Sequence, residues 1–240
     1  MTLQNSAFTK ELLAPFSPAS PLPLRQLSRK TSEEIGTVSI DPARWADRLF
    51  PDGEGKAVPG LYIFWWKVNG EVALPEEDAG HYVKGKHVSA KDPDPLPEGV
   101  EKRLGKNGKR EHLYYRTRWT FHRYDLYDGT YVPLYVGKTC DILSRVKQHL
   151  SWHQRGIDHY NSSDTAFDEV PITKFTTFQQ FSAAFHYLFR NHADIAQSAK
   201  LDHVCLSVQP TDFAAFEERF YREDLLIGYL RPPFNMDSER

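Results

Sequence analysis

The sequence predicts an α/β domain built on a small three-stranded sheet set among helices. Three observations predict it. Three short apolar runs read as strands, segments of helical periodicity lie among them, and a long polar stretch separates the first two runs as an insertion. The first run, Gly60 to Trp66 (GLYIFWW), follows the turn signal Pro59-Gly60 and reads as a buried strand. The second, Pro133 to Lys138 (PLYVGK), is a short apolar strand that closes on a glycine and a lysine. The third is His203 to Gln209 (HVCLSVQ).

The helices follow from periodicity and capping. Asp41 reads as an N-cap, with Pro42 at the first helical position. From Asp141 to Leu150, Ile142, Val146 and Leu150 recur at four-residue spacing. From Thr177 to about Lys200, Phe178, Phe181, Phe185, Leu188, Phe189 and Ile195 trace an apolar face. This face reads as core or a subunit contact. The last helix is expected to start near Thr211 and to end before Pro232-Pro233. At the N-terminus, Pro15, Pro18, Pro21 and Pro23 argue against a long regular element, so residues 1 to about 30 read as an arm, flexible or draped over the domain.

At 240 residues with 40% hydrophobic content, the chain can bury one sizeable core. Its formal net charge of -2 is silent about nucleic acid, so any such argument must rest on where the charge lies. Two cysteines, Cys140 and Cys205, exclude a disulfide framework and a zinc cluster and suit a reducing compartment. No leader peptide and no run long enough to span a membrane are evident, and no internal repeat is found.

The insertion changes character along its length. Its first half is acidic and rich in proline, through Glu76, Glu77, Asp78 and DPDPLPEG. Its second half carries Lys102, Arg103, Lys106, Lys109, Arg110, Arg116, Arg118 and Arg123 against Glu111 alone. Tyr114, Tyr115, Trp119 and Phe121 are interleaved with them. This pattern suits a basic turn followed by twisted strands, which is either a solvated hairpin or a grip on a phosphate backbone.

Two further patterns carry chemistry. The apolar face of the last helix runs Phe213, Phe216, Phe220, Ile227 and Leu230, and Glu223 falls in phase between Phe220 and Ile227. A carboxylate on a core-facing stripe is costly unless it is paired or holds a metal. A boundary glutamate that pairs with an arginine is the plain structural reading, and a metal ligand is the functional one. Arg145 and His149 stand four apart on the helix after PLYVGK, either as a phosphate-facing pair or as part of a solvated face.

Taken in order, these pieces resemble the GIY-YIG nucleases. Gly60-Leu61-Tyr62 and Tyr135-Val136-Gly137 resemble the two half-motifs that name the family, and Lys138 follows directly. The segment DILSRVKQH supplies the Arg145 and His149 positions, and EDLLIGYLRPPFN, from Glu223 to Asn235, is similar to the terminal signature. The resemblance covers residues 60 to 66 and 133 to 240. Leu61 and Val136 stand where the family commonly has isoleucine, and Tyr62 and Tyr135 are far apart where most relatives have a tight hairpin. A long insertion here resembles the family's restriction enzymes, in which inserted segments help to grip the duplex.

The resemblance implies a mainly antiparallel three-stranded sheet flanked by helices, with a β-rich insertion between the first two strands. Residues 1–59 would be an arm and short helix, and 60–240 the core, interrupted by a DNA-binding insertion over 67–131. It implies site-specific, Mg²⁺- or Mn²⁺-dependent hydrolysis of double-stranded DNA by a cytoplasmic homodimer. Glu223 would bind the metal. Tyr62 would orient or deprotonate the attacking water with Tyr135 as its partner, the two roles being exchangeable. Lys138, Arg145 and the metal would help lower the tyrosine pKa, and Arg145 would also stabilise the scissile phosphate. His149 would accept a proton from Tyr62 or bond the phosphate, and Asn235 would hold backbone or a water. The eight basic residues of the insertion would contact DNA. A phage, homing or repair nuclease is the second reading, disfavoured by the short stretch after Asn235. A non-catalytic DNA-binding module is the third.

Overall fold

Gly60–Val68 lies at the centre of the molecule, and seven of its residues are buried because the run is apolar on both faces. The structure is a computed structural model. It describes residues 2–3, 7–27, 41–50, 57–68, 72–76, 80–104, 111–126, 128–149, 181, 184–185, 188–189, 202–212 and 214–235. In chain order the strands are β1 (Thr2–Leu3), β2 (Ser17–Pro23), β3 (Gly60–Val68), β4 (Gly80–His87), β5 (Val100–Leu104), β6 (Glu111–Arg118), β7 (Arg123–Leu126), β8 (Gly129–Thr139) and β9 (Val204–Pro210). The helices are α1 (Ala7–Leu13), α2 (Leu24–Leu27), α3 (Pro42–Leu49), α4 (142–149) and α5 (Phe216–Leu230).

The expectation of a three-stranded sheet flanked by helices is corrected. The main sheet has six strands in the order β1-β7-β8-β3-β9-β2, and β4-β6-β5 form a second sheet. The three expected strands lie side by side at the middle, with β3 antiparallel to β8 and to β9. β7 and β2 extend them antiparallel on either side, and β1 adds a short parallel edge. The extra strands escape the sequence pattern for physical reasons. β2 contains Pro18, Pro21 and Pro23, which remove ladder donors, and it is tolerated as an edge strand with a register irregularity between Ser17 and Leu22. β7 joins β8 through a tight Leu126↔Gly129 connection, inside the stretch that reads as insertion.

α1 and β2 are built into the domain, with the Phe8 and Tyr229 rings 4.9 Å apart and Thr9 Oγ1 2.6 Å from the Tyr229 hydroxyl. α3 begins as expected, with Asp41 Oδ1 accepting from the Ala43 amide at 3.0 Å.

The sheet divides two cores. On one face Tyr62, Phe64, Trp66, Leu134, Tyr135 and Val208 pack with Ile142 and Val146 of α4 and with Phe181 and Phe185. On the other, Leu61, Ile63, Trp65 and Val136 pack with Leu226 and Leu230 of α5 and with Leu12 and Phe16. Leu134 and Tyr135 share a face despite being adjacent, because a bulge opposite Phe64/Trp65 breaks the alternation and also admits Pro133. Most of the expected helix over 177–200, including Phe178 and Ile195, lies outside the described residues, as does Leu150. Phe181, Phe185, Leu188 and Phe189 are buried.

α5 differs from expectation in start and face. It begins at Phe216, not near Thr211, and buries Arg219, Glu223, Leu226 and Leu230. Phe216 and Phe220 are 54% and 41% exposed, so the apolar stripe read from the sequence is not the buried one. Arg219 is buried because it holds the preceding turn, its Nη1 donating to the Asp212 carbonyl at 2.6 Å and to Thr211 Oγ1 at 3.3 Å. The helix ends at Arg231, which is left-handed (φ 49) and donates its amide to the Ile227 carbonyl at 2.9 Å. Among the described residues no helix is long and apolar enough to cross a membrane.

Beyond Tyr131, β8 has no strand on its β7 side among the pairings described. The chain end takes that place. Phe234 donates its amide to the Leu134 carbonyl at 3.1 Å. Asn235 then closes both groups of Val136, its Oδ1 accepting from the amide and its Nδ2 donating to the carbonyl, each at 2.7 Å. Asn235→Ala leaves both buried groups of Val136 without this partner. Its expected cost is about 2–4 kcal/mol, read as a lower denaturant midpoint at unchanged slope.

Candidate functional site

Tyr62 is the hub of a buried polar cluster. Its ring crosses Gly137, its register partner on β8. A Cβ at residue 137 would overlap the Tyr62 ring and come within 2.9 Å of Tyr135 Cε1, so glycine is what lets the two rings occupy this place. The Tyr62 hydroxyl stands 2.8 Å from His149 Nε2 and accepts from Arg145 Nε at 3.4 Å. Arg145 and His149 come from successive turns of α4, which Asp141 caps by accepting from the Ser144 amide at 3.1 Å. Arg145 Nη1 also donates to Gln148 Oε1 at 3.4 Å. Tyr135 lies against the same cluster, its ring centroid 6.1 Å from that of Tyr62 and 5.2 Å from that of His149.

Burial sets the protonation states. His149 is fully buried against Phe64 and Phe181, and desolvation, with the Arg145 charge second, pushes its pKa down to about 3. Burial, then the neighbouring Tyr135, holds the Tyr62 phenol well above its ordinary range, while Arg145 lowers it and Glu223 raises it. Arg145 thus acts in the expected direction on the Tyr62 phenol, while desolvation raises it by more. Arg145 Nε can only donate to the phenol oxygen, and the bond between that oxygen and Nε2 runs in the direction the imidazole tautomer sets. Nδ1 is buried and has no hydrogen-bond partner among the described residues.

Glu223 approaches from the other face. Leu61, Lys138 and Gln209 are register partners on the α5 side of the sheet, whereas Tyr62, Gly137 and Val208 are partners on the α4 side. Glu223 is 5% exposed and forms an ion pair with Lys138. The Lys138 ammonium also lies 3.8 Å from the Phe220 ring centroid. The two halves of the site thus meet around the end of β8, where the Glu223 charge is felt at the Tyr62 phenol.

One buried carboxylate suits a hard cation that fills its shell with waters and substrate oxygens. Among the described residues no group of three or more His, Cys, Asp or Glu could hold a metal, which does not suit a tetrahedral zinc site. Glu223 fits the role of single protein ligand to Mg²⁺ or Mn²⁺.

The structure brings Tyr62, Tyr135, Arg145 and His149 together on one face and Lys138 and Glu223 on the other. Asn235 serves the β8 backbone. Of the basic residues, Arg123 belongs to the main sheet and pairs with Glu76, and Arg118 is exposed and 3.3 Å from Glu98. Lys102 is exposed on β5. In register Arg103 stands opposite His112 and Arg116 opposite Tyr82. Lys106, Lys109 and Arg110 lie outside the described residues. Sequence reasoning missed Phe220 as the seat of the Lys138 ammonium, since its spacing read as core. It also missed Gly137 as a steric requirement, for which the glycine inside an apolar run was the available signal.

The depressed His149 pKa has a signed consequence. The unfolded chain takes up a proton near pH 6.5 and the folded chain only near 3. The neutral site therefore contributes full stability above about pH 6.5 and loses it as pH falls toward 3, by about 1.4 kcal/mol per pH unit. His149→Phe keeps a ring among its aromatic neighbours, and its stability is expected to lack this component of the acid slope. Denaturation at several pH values between 4 and 7, wild type against variant, measures the difference. Compared with family models, with curated proteins and with solved structures, the chain matches none.

Proposed function

We propose that the protein hydrolyses phosphodiester bonds of double-stranded DNA with a divalent cation at Glu223, as a site-specific endonuclease of the restriction type acting as a homodimer in the cytoplasm. The observation that carries this reading is the joining of a phenol, a neutral imidazole and a guanidinium by hydrogen bonds at 2.8 and 3.4 Å, with a buried carboxylate acting on the phenol. The GIY-YIG resemblance names the same residues.

Arg145 binds the scissile phosphate. Its 3.4 Å bond to Tyr62 is the longer of the two, so a phosphate oxygen replaces it more readily than the 2.8 Å bond to His149. Moving Arg145 onto the phosphate uncovers the phenol oxygen for a water. Tyr62 then takes a proton from that water as its own passes to His149 Nε2, and His149 releases that proton to solvent through Tyr62 once the product leaves. The resulting hydroxide attacks phosphorus, the bond to the leaving oxygen breaks, and that oxygen takes a proton from solvent. A cation at Glu223, when bound, supplies charge stabilisation at the phosphate. Tyr135 walls the cluster, and Asn235 keeps β8 in place beneath it.

The basic positions of the second sheet are the proposed duplex grip. By strand alternation, positions 112, 114, 116 and 118 of β6 fall on one face, with Arg103 in register opposite His112.

The Lys138–Glu223 pair favours a second reading, a non-catalytic DNA-binding module, since a neutralised carboxylate is also what an inert scaffold buries. Incubating plasmid and phage DNA with Mg²⁺ separates the two. Wild type is expected to give discrete fragments, and Glu223→Gln is expected to bind DNA while losing at least about 100-fold in rate. A smear that the variant loses keeps the nuclease and discards site specificity. Binding without cleavage by wild type, over several metals and over methylated and unmethylated DNA, leaves the binding module.

A further inference from the structure

A carboxylate as buried as Glu223 needs a counter-charge at all times, and in this structure Lys138 provides it. The two partners are not held alike. Glu223 has 7% of its side chain exposed, whereas Lys138 has 26%. The Lys138 backbone is locked in register opposite Leu61, so any movement belongs to its flexible side chain. Its ammonium rests over Phe220, itself 41% exposed, and so lies at the surface rather than inside. A small hard cation and an ammonium cannot both occupy one carboxylate oxygen. A cation that takes Oε2, the oxygen the ammonium holds, therefore displaces Lys138, and the displaced ammonium remains at the mouth of the site.

We propose that Lys138 is the displaceable counter-ion of Glu223. It neutralises the carboxylate in the free protein and moves onto a substrate phosphate when a divalent cation takes the carboxylate. The inference rests on the reading of Glu223 as a cation ligand. It makes cation and polyanion binding mutually supportive. The duplex draws the ammonium away from Glu223, and the cation releases the ammonium for the duplex. It also assigns Lys138 to Glu223, where the sequence suggested an influence on Tyr62. Lys138 is in this sense a positioning residue.

The test measures Mn²⁺ binding to the full chain at pH 8 by the electron paramagnetic resonance of free Mn²⁺, with and without an excess of a short duplex. Lys138→Met keeps an apolar arm against Phe220, and Lys138→Gln serves if that variant does not fold. Without DNA, the lysine variants are expected to bind Mn²⁺ about 10-fold more tightly than wild type. The duplex is expected to tighten Mn²⁺ binding by wild type and to do little for the variants. Equal Mn²⁺ affinity in wild type and lysine variants, with Glu223→Gln losing the site, overturns the counter-ion role and keeps the cation reading. Mn²⁺ binding unchanged in Glu223→Gln overturns both.

Discussion

The hydrogen bond between the Tyr62 hydroxyl and His149 Nε2, 2.8 Å long and closed off from solvent, constrains the rest of the site. In a medium of low dielectric neither group ionises cheaply, so the bond joins two neutral groups, with Arg145 donating to the same phenol oxygen. It also demands a glycine at 137, since any larger residue there would collide with the ring that carries the hydroxyl.

The sheet acts as a partition. The phenol cluster and α4 lie on one side, and the carboxylate pair and α5 lie on the other, with the end of β8 carrying Gly137 beside the first and Lys138 in the second. On the edge away from β3, this end is held by side-chain amide and backbone contacts from Phe234 and Asn235. A free strand edge invites pairing with another chain, and the Asn235 clamp covers this one at Val136 while leaving Gly137 and Lys138 clear of it.

Much of the frame was legible in the sequence. β3, β8 and β9 announce themselves because strands buried on both faces read as unbroken apolar runs, and α4 because Ile142 and Val146 keep helical phase. The cluster of Tyr62, Arg145 and His149 was legible through the resemblance, since residues far apart in sequence carry no pairing signal of their own. The edges were not legible. Prolines in β2 argue against a strand until an edge is available to receive them, and β7 hides in a polar stretch. The face of α5 was misread because Phe216 and Phe220 look like core, yet Arg219 is buried in their stead by its bonds to the preceding turn. The Tyr62 pKa was expected to fall with its cations, whereas burial governs it.

The central claim is that the structural hub is also the reactive one, with the Tyr62 hydroxyl taking the proton from the attacking water. The direct test is single-turnover cleavage of a duplex by wild type and Tyr62→Phe, with Mn²⁺ and DNA affinities measured on both. Removing one oxygen leaves the ring over Gly137. The account predicts a loss of at least about 100-fold in the cleavage rate with both affinities kept. A Tyr62→Phe rate equal to that of wild type would contradict it.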